Sequence, residues 1–471
     1  MLKIKIHFSV DKIKNNYFKK NFTFFNILLE CFFFFYLYIN IMKLKKMSII
    51  ILLCNFLFSD YPAFQVTINN NPYPAELFIH TMHQPSGYMA IFDAEMNLYW
   101  SLSSGYKGLD LKKNGDFITY FKKDTAENDG QDENYWIIAD QYMNEIDTLK
   151  AISGTTDYHD IRLLENGNYI LQSYIDTYID MSELVEGGSS NAFVKGILNI
   201  EEFDQNHNLI FAWSAFDFLD ISQYNNVNNT NNEFTWMHGN SIEIDYDNNI
   251  LLSNRRSSEI IKINRETGEV IWIMGGPLNE FEIINDSFNG VSKQHDVRRL
   301  DNGNILIFDN GNTHDDPTTR IVEYQVDEEN KIAELVWEYQ SPYNYVSVSM
   351  GSAQRLPNQN TLINWGNTIS EDGAMITEIN YDKEIVLELI YHHGYNTYKV
   401  RKDSWNFNIP MLVGDPNLDD AVNVLDVIYL VNYIFDYDGE KNIFDLYKID
   451  INKDYNMDVT DIVGLVNLIL Y

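Results

Sequence analysis

The chain predicts an all-β fold, a six-bladed β-propeller across residues 60–412, followed by a small α-helical domain across 413–471. Two observations predict it. A hairpin phrase returns through the middle of the sequence, and near the end two acidic loops each run into an apolar helix.

Between about Pro72 and Trp405, short runs of Ile, Val, Leu, Tyr and Trp are cut by Asn-Gly, Asp-Asn and Thr-Gly turns, the pattern of strands joined by tight hairpins. One instance of the phrase is Lys107-Gly-Leu-Asp-Leu-Lys-Lys-Asn-Gly-Asp-Phe-Ile. Fuller ones are His159-Asp-Ile-Arg-Leu-Leu-Glu-Asn-Gly-Asn-Tyr-Ile-Leu and His238-Gly-Asn-Ser-Ile-Glu-Ile-Asp-Tyr-Asp-Asn-Asn-Ile-Leu. Then come His295-Asp-Val-Arg-Arg-Leu-Asp-Asn-Gly-Asn-Ile-Leu-Ile and Gly351-Ser-Ala-Gln-Arg-Leu-Pro-Asn-Gln-Asn-Thr-Leu-Ile. Some are followed by a further strand ending in Trp, as in Glu269-Val-Ile-Trp272 and Glu334-Leu-Val-Trp337. Several short strands per unit, repeated at roughly 50–80 residues, read as propeller blades, five or six of them, with six the choice. A pair of β-sandwiches is the alternative, and the repeated phrase disfavours it.

Ahead of the repeat, residues 1–41 read as a translated upstream extension, with a mostly apolar run from Phe24 to Ile41. Met42-Lys-Leu-Lys-Lys-Met then opens a basic start, an apolar stretch Ile49 to Phe58 and a polar exit, the parts of a signal peptide over 42–59. A transmembrane anchor over about 24–41 is the other reading, and membrane contact is expected only if that segment is retained. Cys31 and Cys54 are the two cysteines and both precede residue 60, so the folded part has no disulfide framework. A net charge of −34 and a pI near 4.5 argue against a nucleic-acid partner, whose phosphates this surface repels. An extracellular, periplasmic or cell-surface location is expected.

The repeat places chemistry. His159 and His295 share one position of the phrase, and His238 lies two residues further from its turn, an even offset that keeps it on the same strand face. All three therefore approach one mouth of the channel from different blades. Asp160 and Asp296 follow two of them and could orient the ring or serve structurally; three histidines could also ligate zinc. Gly351 takes the aligned place in the later blade, with Gln354 where other phrases have Arg162 and Arg298. His392 and His393 fall outside the register and read as rim or structural residues.

The C-terminal loops are Asp415-Pro-Asn417-Leu-Asp419-Asp-Ala421-Val-Asn423-Val-Leu-Asp426 and Asp450-Ile-Asn452-Lys-Asp454-Tyr-Asn456-Met-Asp458-Val-Thr-Asp461. Positions 1, 3, 5, 9 and 12 carry oxygen ligands at the spacing that converges on one Ca2+, and position 7 (Ala421, Asn456) offers a backbone carbonyl. The pair resembles a type I dockerin module, which implies structural calcium and a cohesin-bearing scaffold or surface protein as partner. Asp420 and Tyr455 replace the usual glycine at position 6, and Asp replaces Glu at position 12, so weaker calcium binding is expected.

The propeller phrases resemble the arylsulfotransferase family over about 75–405. The likeness is carried by Thr235-Trp-Met-His-Gly-Asn-Ser-Ile-Glu-Ile-Asp, Ser253-Asn-Arg-Arg and Glu269-Val-Ile-Trp-Ile-Met-Gly-Gly. It continues through Gln294-His-Asp-Val-Arg-Arg-Leu-Asp-Asn-Gly-Asn, Phe308-Asp-Asn-Gly and Thr319-Arg-Ile-Val-Glu-Tyr-Gln-Val-Asp. The resemblance implies transfer of a sulfuryl group from an aryl sulfate to a phenol through a sulfohistidine. It matches His238 and His295 to the family's motif histidines and Arg320 to its anion-clamping arginine; a strand-edge salt bridge is the plainer role for such an arginine. In the family the nucleophilic histidine lies in a blade after that arginine, whereas the hairpin after Arg320 has Gly351 and Gln354 and no histidine. His159, His238 or His295 then serves instead, with His392 and His393 as outside candidates. Direct transfer, a propeller that binds a ligand or glycan without turnover, and a purely structural scaffold are the alternatives.

Overall fold

The computed structural model describes residues 61–82, 87–103, 108–124, 133–140, 143–368, 375–391, 395–405, 414, 422–436, 451 and 458–470. The expected extension and signal peptide, His392, His393, and loop residues Asp415, Asn417, Asp419, Asp450, Asn452, Asp454 and Asn456 lie outside them.

Six sheets follow one another along the chain. The first, counted outward, is Asn396–Asp403, Glu76–Met82, Gly87–Phe92 and Leu98–Ser103; the second is Gly108–Asn114, Phe117–Asp124, Glu133–Ala139 and Glu145–Leu149. The third is Thr155–Leu163, Tyr169–Ile179, Ala192–Phe203 and Leu209–Ser214, and the fourth Gly239–Ile244, Ile250–Asn254, Glu259–Ile263 and Val270–Gly275. The fifth runs His295–Arg299, Ile305–Asp309, Arg320–Asp327, Ile332–Gln340, and the sixth Ser352–Arg355, Thr361–Asn364, Met375–Ile379, Ile385–Tyr391. The first strands of neighbouring sheets touch in a closed ring. The fold is a six-bladed β-propeller.

The hairpin turns explain the recurring phrase. Each needs one residue in the left-handed region, and Gly167 and Gly303 supply it at φ +83° and +88°. Asn248 and Gln359 hold the same place at +67° and +70°, which is why the phrase survives there without its glycine. The fourth strands of four blades tuck in Trp100, Trp213, Trp272 and Trp337, all buried. Removing one such ring costs about 3–5 kcal/mol.

Closure is double. Asn396–Asp403, last of the described strands, pairs with Glu76–Met82 as the innermost strand of the first blade, with Glu76 opposite Asp403 and Met82 opposite Asn396. Phe64–Asn69, first of the described strands, pairs with Ile385–Tyr391 on the outside of the last. Both ends of the propeller are thereby held, and Tyr61 and Tyr391 join hydroxyls at 2.8 Å across this seam.

Beyond the propeller, Val424–Asp436 and Val459–Leu470 are helices, one after each expected loop. They meet through Leu430 and Leu465, fully buried, with Val427, Ile434, Ile462 and Ile469 around them. Among the described residues no helix is long and apolar enough to cross a membrane.

Candidate active site at the channel mouth

The inner-strand ring brings His159, His238 and His295 together. The His159 ring lies 4.6 Å from that of His238 and 6.4 Å from that of His295, centre to centre. Tyr398, on the closing strand, stands 6.0 Å from His159 and 5.6 Å from His295. Tyr158 stacks on His159 at 4.1 Å and keeps 36% of its surface exposed, an aromatic shelf beside the imidazoles. Among the described residues no three side chains converge in a metal-holding arrangement.

Each ring is held differently. His159 Nδ1 lies 2.8 Å from a carboxylate oxygen of Asp157, which also accepts the His159 amide at 2.9 Å and the Gln172 side-chain amide. Burial pushes the Asp157 carboxyl up, but His159 and these hydrogen bonds outweigh it and hold it below its ordinary value. His295 Nδ1 meets the backbone carbonyl of Gly351 at 2.7 Å. A carbonyl only accepts, so Nδ1 carries the hydrogen and Nε2 keeps its lone pair. Burial, then the charge of Lys399, drives the His295 pKa well down, and burial takes His238 down to about 3. Both imidazoles are neutral at pH 7.

Asp160 and Asp296 orient neither ring. They turn into the channel, where Asp160 binds Lys112 and Arg298 and Asp296 binds Arg298 and Arg401. Lys112 also reaches Asp110, at 2.6 Å. Lys399 donates to the carbonyls of His159 at 2.6 Å and Asn240 at 3.0 Å. This lattice of three carboxylates and four cations forms a floor beneath the histidines. Burial brings the Lys399 pKa down to about 8 against the pull of Asp160, Asp110 and Asp296.

Arg320 is not brought to the histidines. It is fully buried in its blade, with Nε on Asp309 at 2.9 Å and the two terminal nitrogens on Asp286 at 2.7 and 2.9 Å. Its donors are spent on these carboxylates, on Glu338 and on the Gly290 carbonyl, the salt-bridge role. The cations that do reach the mouth are ones the sequence reading left without a role. Arg255 and Arg256 sit in the turn after Ile250–Asn254, and the Arg255 amide donates to the His238 carbonyl at 2.9 Å. The Arg255 guanidinium is tied to Asn312 Oδ1 at 2.9 Å and the Val348 carbonyl at 2.8 Å, while its buried Nε has no partner. Lys293, two residues before His295, donates to the Arg256 carbonyl at 2.6 Å. The signal was present as Ser253-Asn-Arg-Arg, but nothing in the strand register aims a turn residue at the axis.

In the C-terminal loops, Asp426 and Asp461 are buried. One oxygen of Asp426 accepts the Asn423 amide at 2.7 Å and the other is buried without a partner. Asp461 accepts amides of Ile451 and Asp458, both at 3.0 Å. Asn423 and Asp458 accept the amides of Leu425 and Thr460 at 2.8 and 2.7 Å, capping the helices that follow.

The propeller's inner strands gather three imidazoles over an ion-paired floor, with Arg255 and Arg256 in the turn beside His238. The chain belongs to the arylsulfotransferase family: the family described as Arylsulfotransferase (ASST) matches residues 9–400. It is similar to the arylsulfate sulfotransferase AssT of Escherichia coli O6:H1 (strain CFT073), 28% identical over 196 residues, which is 33% of this chain and 32% of that one. The chain thus spans about a third of that relative's length. Among solved structures it is similar to a protein of unknown function from Bacteroides caccae, at 12% identity and TM-score 0.43, covering 70% of this chain and 98% of that one. It is also similar to the periplasmic gluconolactonase PpgL of Pseudomonas aeruginosa, at 9% identity and TM-score 0.40, covering 70% and 99%.

Proposed function

We propose that the propeller transfers a sulfuryl group from an aryl sulfate to a phenolic acceptor through His295. The observation that carries this is the Nδ1–H of His295 held on the Gly351 carbonyl, which leaves Nε2 as a free lone pair on a neutral ring. In the first step the Nε2–S bond forms as the aryl O–S bond breaks. Arg255, beside His238, holds the sulfuryl oxygens while negative charge moves to the leaving oxygen. His159 in its doubly protonated form, steadied by Asp157, gives the phenolate a proton from Nε2. In the second step the acceptor phenol attacks sulfur, the N–S bond breaks, and His159 recovers the proton. Tyr158 supports the aryl ring. With Arg255 as the anion clamp, the histidine in the next blade is His295, so the order of arginine then nucleophile expected of the family is satisfied without a histidine at Gly351.

The test follows phenolate release from a chromogenic aryl sulfate with and without added phenol. Acceptor-dependent release is expected, falling at least about 10³-fold in a folded His295→Asn variant. No release from the folded protein under any acceptor would sink this reading in favour of a ligand-binding propeller.

The C-terminal module is proposed to bind structural Ca2+ and, through it, a cohesin-bearing scaffold or surface protein, with the whole chain secreted. The unpartnered, buried oxygen of Asp426 fits a cation in the first loop. Asp415, Asn417, Asp419 and Asp426, and in the second loop Asp450, Asn452, Asp454 and Asp461, would hold it, with the position-7 carbonyls and with Asn423 and Asp458 further out.

A further inference from the structure

We propose that the mouth carries a second anion subsite, formed by Arg256 and Lys293, which selects aryl sulfates or phenols bearing an additional acidic ring substituent. This rests on the sulfuryl-transfer reading of the same mouth.

The argument begins with what these cations lack. Among the described residues, Arg298, Arg299, Arg320, Arg401, Lys262 and Lys402 each sit on a carboxylate. Such pairing is unsurprising in a chain of 68 acidic and 34 basic residues. Arg255, Arg256 and Lys293 are different: the Arg255 and Lys293 side chains meet only amide or carbonyl oxygens, and none of the three pairs with a carboxylate among the described residues. They are nevertheless held together. The Arg255 amide fixes their turn to His238, the Lys293 ammonium clasps the Arg256 carbonyl, and the Lys293 amide is anchored on Ser258 Oγ at 3.0 Å. Burial, then Arg255 and Arg256, push the Lys293 ammonium below its ordinary pKa, the mark of like charges gathered without a counter-ion.

A sulfate monoester brings a single negative charge, and transfer does not raise that total. Arg255, already tied down beside His238, is enough to meet it. Arg256 is exposed at the rim and Lys293 is half-buried, and together they leave an excess of positive charge at the mouth. A carboxylate or sulfonate on the same aromatic ring is the chemistry that answers it, with the ring spanning the two anions over Tyr158.

Binding rather than turnover tests this, so that it stands apart from the sulfuryl-transfer assay. The probes are benzenesulfonate, whose sulfonate cannot be transferred, and 3- and 4-sulfobenzoate, titrated calorimetrically into the full chain at low ionic strength. At least one sulfobenzoate is expected to bind about tenfold tighter than benzenesulfonate, a preference that salt erodes. In Arg256→Gln and in Arg256→Gln/Lys293→Gln the ratio should fall toward one. Equal binding of mono- and dianion by the wild-type protein overturns the proposal. So does an equal weakening of both probes in the variants, which would make these cations a general attractor of anions. Arg256 is exposed, so the single variant keeps the test valid if the double variant misfolds. Failure of sulfuryl transfer would show in phenolate release and leave this ratio intact.

Discussion

At the scale of residues, the chemistry of the mouth is set by which atom holds each imidazole. A carboxylate on His159 Nδ1 fixes how that ring is turned, while a carbonyl on His295 permits only the tautomer with Nε2 free. Lys399 strengthens the second case. Fully buried under the site, it carries charge toward His295 while its donors are used on two backbone carbonyls. The neutral ring is the attacking form, so activity falls where His295 becomes protonated, on the acid side. Removing the nearby positive charge makes that protonation easier. In Lys399→Met the acid limb of the kcat/KM profile is therefore expected to move to higher pH, though only part of the way, since burial, the larger influence, remains. A profile shifted downward, or unmoved in a folded variant, would show that Lys399 acts on the site through structure alone.

At the scale of elements, the closing strand and one glycine matter most. Asn396–Asp403 completes the first blade and delivers Tyr398 and Lys399 to the axis, so the last strand in the propeller is also part of the site. Gly351 opposes it: its amide donates to the Tyr398 carbonyl at 3.2 Å while its own carbonyl holds His295. The residue takes φ +101°, and a Cβ there would come within 2.3 Å of the Phe308 ring. Gly351→Ala should lose about 2–4 kcal/mol in denaturant unfolding and slow transfer as well, because the His295 ring loses its fixed partner. An alanine variant of unchanged stability would contradict this geometry. A position that reads in sequence as a missing histidine thus acts through its backbone, which a side-chain alphabet does not display.

At the scale of the whole molecule, the propeller and the helical module are held by different means. The blades rest on apolar packing between sheets, with fully buried Trp136, Trp213, Trp236, Trp272 and Trp365, and on the ion lattice along the axis. The helix pair has two fully buried leucines and a thin apolar shell, too little core to stand alone without its loops. Chelation is expected to abolish helical circular dichroism from about 414–471 and open that region to protease, leaving the propeller intact. Unchanged proteolysis with chelator would remove calcium from the account.

The alternation of apolar residues, the hairpin turns and their register were enough to give a propeller of five or six blades and the meeting of His159, His238 and His295 at one mouth, and the repeated acidic loops were enough to give the helix after each. Those features depend on periods and offsets along single strands, which are local. Tertiary structure alone decided the rest. Arg320 went to Asp286 and Asp309, Asp160 and Asp296 went to the floor, and the Arg255 guanidinium went to Asn312 and the Val348 carbonyl. Each of these choices pits one charged side chain against partners from other strands, loops or blades. The outcome turns on burial and distance in the closed ring, quantities that no single segment of the sequence contains.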